Sequence, residues 1–452
     1  MASAPRTRSR SQSAARRADA AATTGGSAAS HGSATVRDAA TTRPSATPHL
    51  QTRSGRGGSF ALQRLVMLET AGALVVCGWL IGPVALVPAG VVAGILALLA
   101  LVRRRGRSLP EWLGSHLALR ARMRRAPGTL LPPGVDSTLA PAVECEPNLR
   151  TYSFVHRDER DRQPVGMVGD GSFLTAVLQV EADAGALRAD RASLPLPLAL
   201  VRDVLEVDDI RLESAQVVLH TQTAPAPHLP RQSVVVTNYT QLQSDIASPA
   251  VRIMWIALKF DPELCPDAVA ARGGRLAGAQ RCLVRSAEHL SSRLTGAGFR
   301  VNLLTEEGLS SALATSMCAN PVVTVQTGQG EARRRTEESG RNWRCDNRRH
   351  TTYWVRRWPQ LGGQGPGLPQ LVAQLTAVPA LATTFSLTLA PNGSQDVTLT
   401  GHVRVTGRSS TELSDARRGL EHVARQARAG IVRLDREQLP GMLATLPLGG
   451  AH

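Results

Sequence analysis

Two acidic groupings are the residues whose types and spacing could do chemistry. Glu181-x-Asp183 follows an apolar run, and Glu206-Val-Asp208-Asp209 follows a helical pattern. Carboxylates one residue apart at a strand end can share a divalent cation bound to a diphosphate, as in a metal-dependent nucleotide-sugar transferase. The transferase pattern is Asp-x-Asp, and Glu181/Asp183 is the nearest approach to it; a solvated turn after a strand accounts for the same residues. Cys345 with His350 is half of a metal site, and no second half lies at zinc-finger spacing. The six cysteines (77, 145, 265, 282, 318 and 345) form no CxxC pair and read as reduced, structural thiols. HExxH, GxSxG and a strand-borne GxGxxG are absent. Lys259 is the only lysine and sits in the apolar run Trp255–Phe260, so no Walker loop exists. These patterns assign no catalytic residue, no metal and no cofactor.

The sharpest cluster is Trp343–Trp358, which holds three of the six Trp and one of the three Tyr among arginines. Trp, Tyr and Arg are the types enriched at protein–protein hot spots, which makes Trp343, Arg348, Arg349, Tyr353, Trp354 and Trp358 candidate partner contacts. A strand with packed Trp and exposed Arg explains the cluster equally simply. Stacking on single-stranded nucleic acid is a third reading.

The charge distribution argues against that third reading. The chain has 452 residues, 52 basic and 36 acidic, with a net charge of +16. Residues 1–58 carry nine Arg and two Asp, and residues 103–125 carry eight Arg and one Glu. The basic excess therefore flanks a segment rather than covering the large domain, and nucleic acid is not an expected partner.

The flanked segment, Leu65–Val102, has Glu69 as its only charged residue. As helix it would run to roughly 57 Å, almost twice the hydrocarbon core of a bilayer. Two spans use that length, with Gly82-Pro83 and Pro88 as the break. Arg-rich flanks on both sides of an uncharged turn predict that the N-terminus and the large domain are both cytoplasmic. Gly78-x-x-x-Gly82 and Gly90-x-x-x-Gly94 are candidate helix-packing positions, and Glu69 is a candidate polar contact or snorkelling group near Arg64.

The expected organisation is a disordered Arg/Ser/Ala-rich tail over 1–58, a two-span hairpin over 62–102 and a basic juxtamembrane helix with linker over 103–133. A mixed α/β cytoplasmic domain follows over 134–450. Trp112, Leu113, Leu117 and Leu119 among arginines suit the membrane surface, and anionic lipid is the expected partner of the basic flanks. Within the domain, Val165–Val180 reads as a hairpin turned at Gly169-Asp170-Gly171, and Val251–Phe260 as a strand covered on both faces. Leu276, Leu283, Leu290 and Leu294 line one helix. A polar insertion covers 325–342. Alternation over Phe385–Leu389, with Asn392-Gly393 before Val397–Val405, predicts a second hairpin. No internal repeat of fixed period is present.

The order of these features resembles the EccE family of actinobacterial type VII (ESX) secretion. The residues that carry the resemblance are Arg103-Arg-Arg-Gly-Arg107 with Leu109-Pro-Glu-Trp-Leu113, the Trp343–Trp358 block and the closing Leu434–Leu448. The resemblance implies a non-enzymatic, stabilising subunit of the cell-membrane complex formed with EccB, EccC and EccD, in which EccC supplies the ATPase. It also implies a glycosyltransferase-like cytoplasmic fold. The rival reading from the residues is a membrane-tethered transferase using Glu181 and Asp183.

Overall fold

The computed structural model describes residues 57–101, 103–104, 107–126, 135–155, 163–182, 195–222, 251–327, 334–359, 367–392 and 396–450, together with residue 234. Residues 1–56 of the Arg-rich tail, Asp183, the turn at Gly393 and the linker 127–134 lie outside the described residues.

The first elements are helices α1 (Gly57–Ile81) and α2 (Pro83–Leu101), joined at Gly82, whose φ of 133° favours glycine. Pro83 occupies the first position of α2, where its missing N–H costs nothing. Pro88 lies inside α2 and does not end it, so the break is Gly82-Pro83 alone. The helices pack through small residues, with Ala71, Gly78 and Ala93 buried. A Cβ on Gly78 would stand 2.7 Å from Ala89 Cβ, so only glycine permits this approach. The outward faces carry exposed Trp79, Leu80, Val84, Val87, Val91 and Ile95. Among the described residues no helix is long and apolar enough to cross a membrane. The stretches with described side chains, 65–81 and 83–98, are roughly 25 Å long each.

Helix α3 (Leu109–Arg125) follows, and then the domain, which opens with the short helix α4 (Ala140–Cys145). Its strands are β1 (Arg150–Phe154), β2 (Val165–Gly169), β3 (Leu174–Ala182), β4 (Ser214–Gln222), β5 (Val251–Phe260) and β6 (Phe299–Leu303). They continue with β7 (Thr336–Glu338), β8 (Trp343–Cys345), β9 (Arg348–Arg357), β10 (Ala382–Asn392), β11 (Asp396–Gly407) and β12 (Gly430–Arg433). Helices between them are α5 (Leu198–Asp203), α6 (Pro266–Ala271), α7 (Arg275–Gly296), α8 (Glu306–Ser316), α9 (Pro321–Thr327), α10 (Leu368–Thr376), α11 (Ser410–Gln426) and α12 (Gln438–Leu443).

All twelve strands form one sheet in the order β7-β8-β9-β11-β10-β4-β5-β3-β2-β1, with β6 beside β3 and β12 beside β9. Every ladder is antiparallel. The domain is thus mixed α/β as expected, but a nucleotide-sugar transferase fold built on a parallel sheet finds no support in it.

The sheet is a duplication. β3-α5-β4-β5-α7-β6 and β9-α10-β10-β11-α11-β12 are each a βαββαβ unit, with strand orders β6-β3-β5-β4 and β12-β9-β11-β10. A hairpin strand precedes each unit, β2 before β3 and β8 before β9. The units join edge to edge through the β4–β10 ladder, from Ala215↔Leu389 to Gln222↔Ala382, which relates them by an approximate two-fold. Equivalent strands do not recur at one spacing: β3 and β9 begin 174 residues apart (174 and 348), and β6 and β12 begin 131 apart (299 and 430). A search for a fixed period therefore finds nothing, although the repeat is present.

Strand alternation sends successive side chains to opposite faces. One face carries Leu178, Val180, Ile256, Leu258, Phe385, Leu387, Val403 and Val405, packed under α5, α7, α10 and α11. Leu283, Leu290 and Leu294 of α7 are fully buried there, each worth about 2 kcal/mol of apolar burial. Leu276, expected in the same stripe, is 46% exposed because it sits in the first turn, before the helix reaches the sheet. The opposite face carries Val177, Val218, Trp255 and Ala257 under α4, α8 and the closing segment with Met442, Leu446 and Leu448. β5 is covered on both faces from Trp255 onward, as its composition predicts, while Val251 and Arg252 at its start are exposed. The first hairpin turns as read: Asp170 accepts from Ser172 N at 2.9 Å, and Gly171 has φ 99°.

Candidate partner interface

The acidic groupings are occupied by arginine or left bare. Glu181 lies on β3 opposite Arg300 and accepts from Gln179 Nε2 at 3.0 Å. Arg211 pairs with Glu206 at 3.5 Å, Arg285 with Asp208 at 3.2 Å and Arg272 with Asp209 at 2.6 Å. The Arg272 hydrogen bond holds the Asp209 carboxyl below its usual range. Among the described residues no cluster of three or more His, Cys, Asp or Glu could hold a metal ion. Cys345 is buried beside Cys145, and burial pushes both thiols up, away from the thiolate form that binds metals.

The buried polar residues hold the chain's own last segment. Thr175 Oγ1 donates to Leu448 O at 3.0 Å, Ser214 Oγ to Gly449 O at 2.6 Å, and Ser386 Oγ to Ala444 O at 2.9 Å. Gln216 donates to Ala444 O and accepts from Gly449 N. Strands β3, β4 and β10 thus bind residues 444–449 through main-chain groups. Beside this row lies Arg404, fully buried with no carboxylate partner among the described residues. Its guanidinium donates to the carbonyl of Ser316, the last residue of α8, and to Thr384 Oγ1 at 3.0 Å. The negative end of the α8 dipole is the counter-charge. Burial still lowers the Arg404 pKa to about 10. His220, His350 and His402 on the same face are buried and neutral. Burial, aided by Arg404, lowers His220 to about 3 and His350 well below its usual value, and burial lowers His402 to about 4.

The six aromatic and basic candidates do not form one surface. Trp343, Arg348 and Trp354 point to the face of the closing segment, and Tyr353 to the helical face. Trp343 is 1% exposed, its ring 5.0 Å from His350, and Tyr353 is 1% exposed with its hydroxyl donating to Glu421 at 2.7 Å. Arg348 is buried. These three are core residues in this chain. Arg349, Trp354 and Trp358 keep partial exposure, and Arg356 and Arg357 between them are exposed. Trp358 lies over Gly401, where an added Cβ would stand 2.6 Å from its ring. The accessible patch is therefore the far end of β9, from Trp354 to Trp358.

The hairpin glycines divide similarly. Gly78 packs against the second helix, and Gly82 forms the turn. Gly90 and Gly94 are exposed with nothing within 4 Å of an added Cβ, and Glu69 is exposed.

A contact that sequence reasoning missed ties α3 to the domain. Arg122 donates to both carboxylate oxygens of Glu338, at 2.8 and 2.9 Å, and to Arg436 O at 2.7 Å. Glu338 also accepts from Leu439 N at 3.0 Å. The polar insertion is likewise part of the fold. Arg335 pairs with Asp346 at 2.8 Å with both side chains almost fully buried, and Glu144 accepts from the backbone of Arg335 and Thr336. Only residues 328–333 of that insertion lie outside the described residues.

Residues 248–355, from β5 through most of β9, match the family described as "Putative type VII ESX secretion system translocon, EccE". Over that stretch the chain is similar to the EccE family. It is also 27% identical over 217 residues to "ESX-1 secretion system protein EccE1" of Mycobacterium tuberculosis, in both strain CDC 1551 / Oshkosh and strain ATCC 25618 / H37Rv. That similarity covers 46% of this chain and 40% of the length of each curated relative. The EccE match bridges both halves of the duplication: it contains β5, α7 and β6 of the first and β7 to β9 at the start of the second. Trp343 and Trp354 fall inside it, and Trp358 lies just beyond.

Proposed function

We propose that this chain is an EccE-type, non-catalytic structural subunit of a type VII secretion complex in the cell membrane. Its hairpin over 62–102 spans the bilayer twice with both chain ends cytoplasmic, and its 134–450 domain contacts EccB-, EccC- and EccD-like subunits. The observation that carries this reading is the EccE match over 248–355, the stretch that builds the strand leading to the Trp354–Trp358 patch. The spent chemistry of the domain supports it: the acidic groups at 203–209 are paired with arginine, and the buried polar row holds the chain's own tail. The exposed apolar faces of α1 and α2, with arginine at both flanks, support the membrane hairpin.

The test is removal of the chain from cells that carry the whole system. The account expects the high-mass membrane complex of the ATPase and multi-span subunits to fall apart on a native gel, with the other subunits still made. A complex of unchanged size and abundance would contradict it. The transferase reading makes a separate demand: the purified protein must be stabilised by a nucleotide-sugar, and Glu181→Ala must abolish that stabilisation.

A further inference from the structure

Helix α3 has two opposed faces, and among the described residues only one is packed against the protein. At about 100° per residue, Ser115, Leu119 and Arg122 share one side of the helix. All three are engaged: Ser115 and Leu119 are buried, and Arg122 is held by Glu338 and Arg436. The opposite side carries Leu113, Leu117, Arg120 and Arg124, which fall within about 60° of one another. Leu113 and Leu117 are 51% and 57% exposed, and Arg120 and Arg124 are exposed with no ion pair among the described residues. Two unburied leucines in line with two arginines make a surface with no occupant among the described residues.

We propose that this face of α3 lies on an anionic phospholipid surface, so that α3 is a wedge between the membrane and the domain. The proposal rests on the membrane reading of the hairpin. Two observations select lipid over other occupants. The face follows closely on the apolar exterior of α2 in the chain: α2 exposes Val91, Ile95 and Leu98, and α3 begins eight residues after its end. Its charge complements a phosphate surface: the block 103–125 holds eight Arg against Glu111 alone. Leucine inserts at the acyl boundary while arginine beside it meets phosphate, the division seen in interfacial amphipathic helices. The Arg122–Glu338 pair on the other side then fixes the domain's height and tilt above the bilayer.

The test is hydroxyl-radical footprinting of the full chain in nanodiscs of phosphatidylcholine with and without phosphatidylglycerol. With phosphatidylglycerol, Leu113 and Leu117 are expected to be modified about fivefold or more less than in phosphatidylcholine alone, since each arginine near an anionic surface is worth a factor of about five. Arg120→Glu with Arg124→Glu should remove that protection while leaving the domain's melting temperature unchanged, because neither residue touches the domain. Leu113 and Leu117 as reactive as the exposed Leu264 and Leu399 would overturn the proposal, as would equal protection in both lipids. Protection seen only in native membranes would overturn it in favour of an acidic protein partner. Trp79 and Val84 are the internal control. If they are modified, the hairpin reading fails; if they are protected and Leu113 and Leu117 are not, only the wedge fails.

Discussion

Acidification should unfold the α/β domain at a pH set by three buried histidines. His220, His350 and His402 are neutral in the fold, with pKa values of about 3 for His220, about 4 for His402 and well below normal for His350. In the unfolded chain each titrates near about 6.5. Below that pH the unfolded state binds more protons than the fold, so stability falls as pH drops from about 6.5 toward about 4. Above about pH 7 it is flat with respect to these groups. Each histidine contributes about 1.4 kcal/mol per pH unit within the window, and the three together about 4 kcal/mol. Glu146 works the other way, because burial raises its carboxyl, and it trims the loss near the acid end. For a domain of this size 4 kcal/mol corresponds to a melting temperature lower by roughly 8 °C. The assay is thermal unfolding of the full chain in detergent at about pH 7.5, 6.5 and 5.5. His402→Gln should reduce the slope by roughly a third, since its Nδ1 has no partner to lose. A melting temperature constant across the range, or a slope unchanged in His402→Gln, would refute the reasoning.

Further outcomes follow from the contacts. Glu338→Ala leaves Leu439 N without its acceptor and Arg122 with the Arg436 carbonyl alone, and should cost about 2 kcal/mol, read as new proteolytic cleavage between 126 and 135. Trp354→Ala is expected to reduce recovery of the complex more than it lowers the domain's melting temperature; equal losses would make Trp354 a packing residue. Gly78→Val should disrupt the hairpin and lower the amount of protein in membranes, because its side chain meets Ala89. Gly90→Val with Gly94→Val should leave that amount unchanged and act only on recovery of partners.

What was legible in the sequence was the local pattern. The hairpins, α7 and the strand at Val251–Phe260 follow from alternation and periodicity that neighbouring residues carry themselves. The antiparallel duplication was not legible, because its equivalent strands recur at unequal spacings. Strand β10 shows a second limit. The alternation over Phe385–Leu389 marks the strand but does not tell that Thr384, Ser386 and Thr388 are buried, because a segment about sixty residues later lies over them. The Trp343–Trp358 cluster was visible as composition, but strand geometry divides it between two faces, and burial removes Trp343, Arg348 and Tyr353 from any surface. The Arg122–Glu338 pair joins residues 216 apart, a distance over which no local pattern speaks.

The central claim is that this chain works by holding other membrane subunits. The direct measurement is a pull-down of the C-terminally tagged full chain from its native membrane in mild detergent, identified by mass spectrometry. The account predicts recovery of an FtsK/SpoIIIE-type ATPase and multi-span partners near stoichiometry, reduced in Trp354→Ala. Recovery of the chain alone, from membranes shown to contain those subunits, would contradict it.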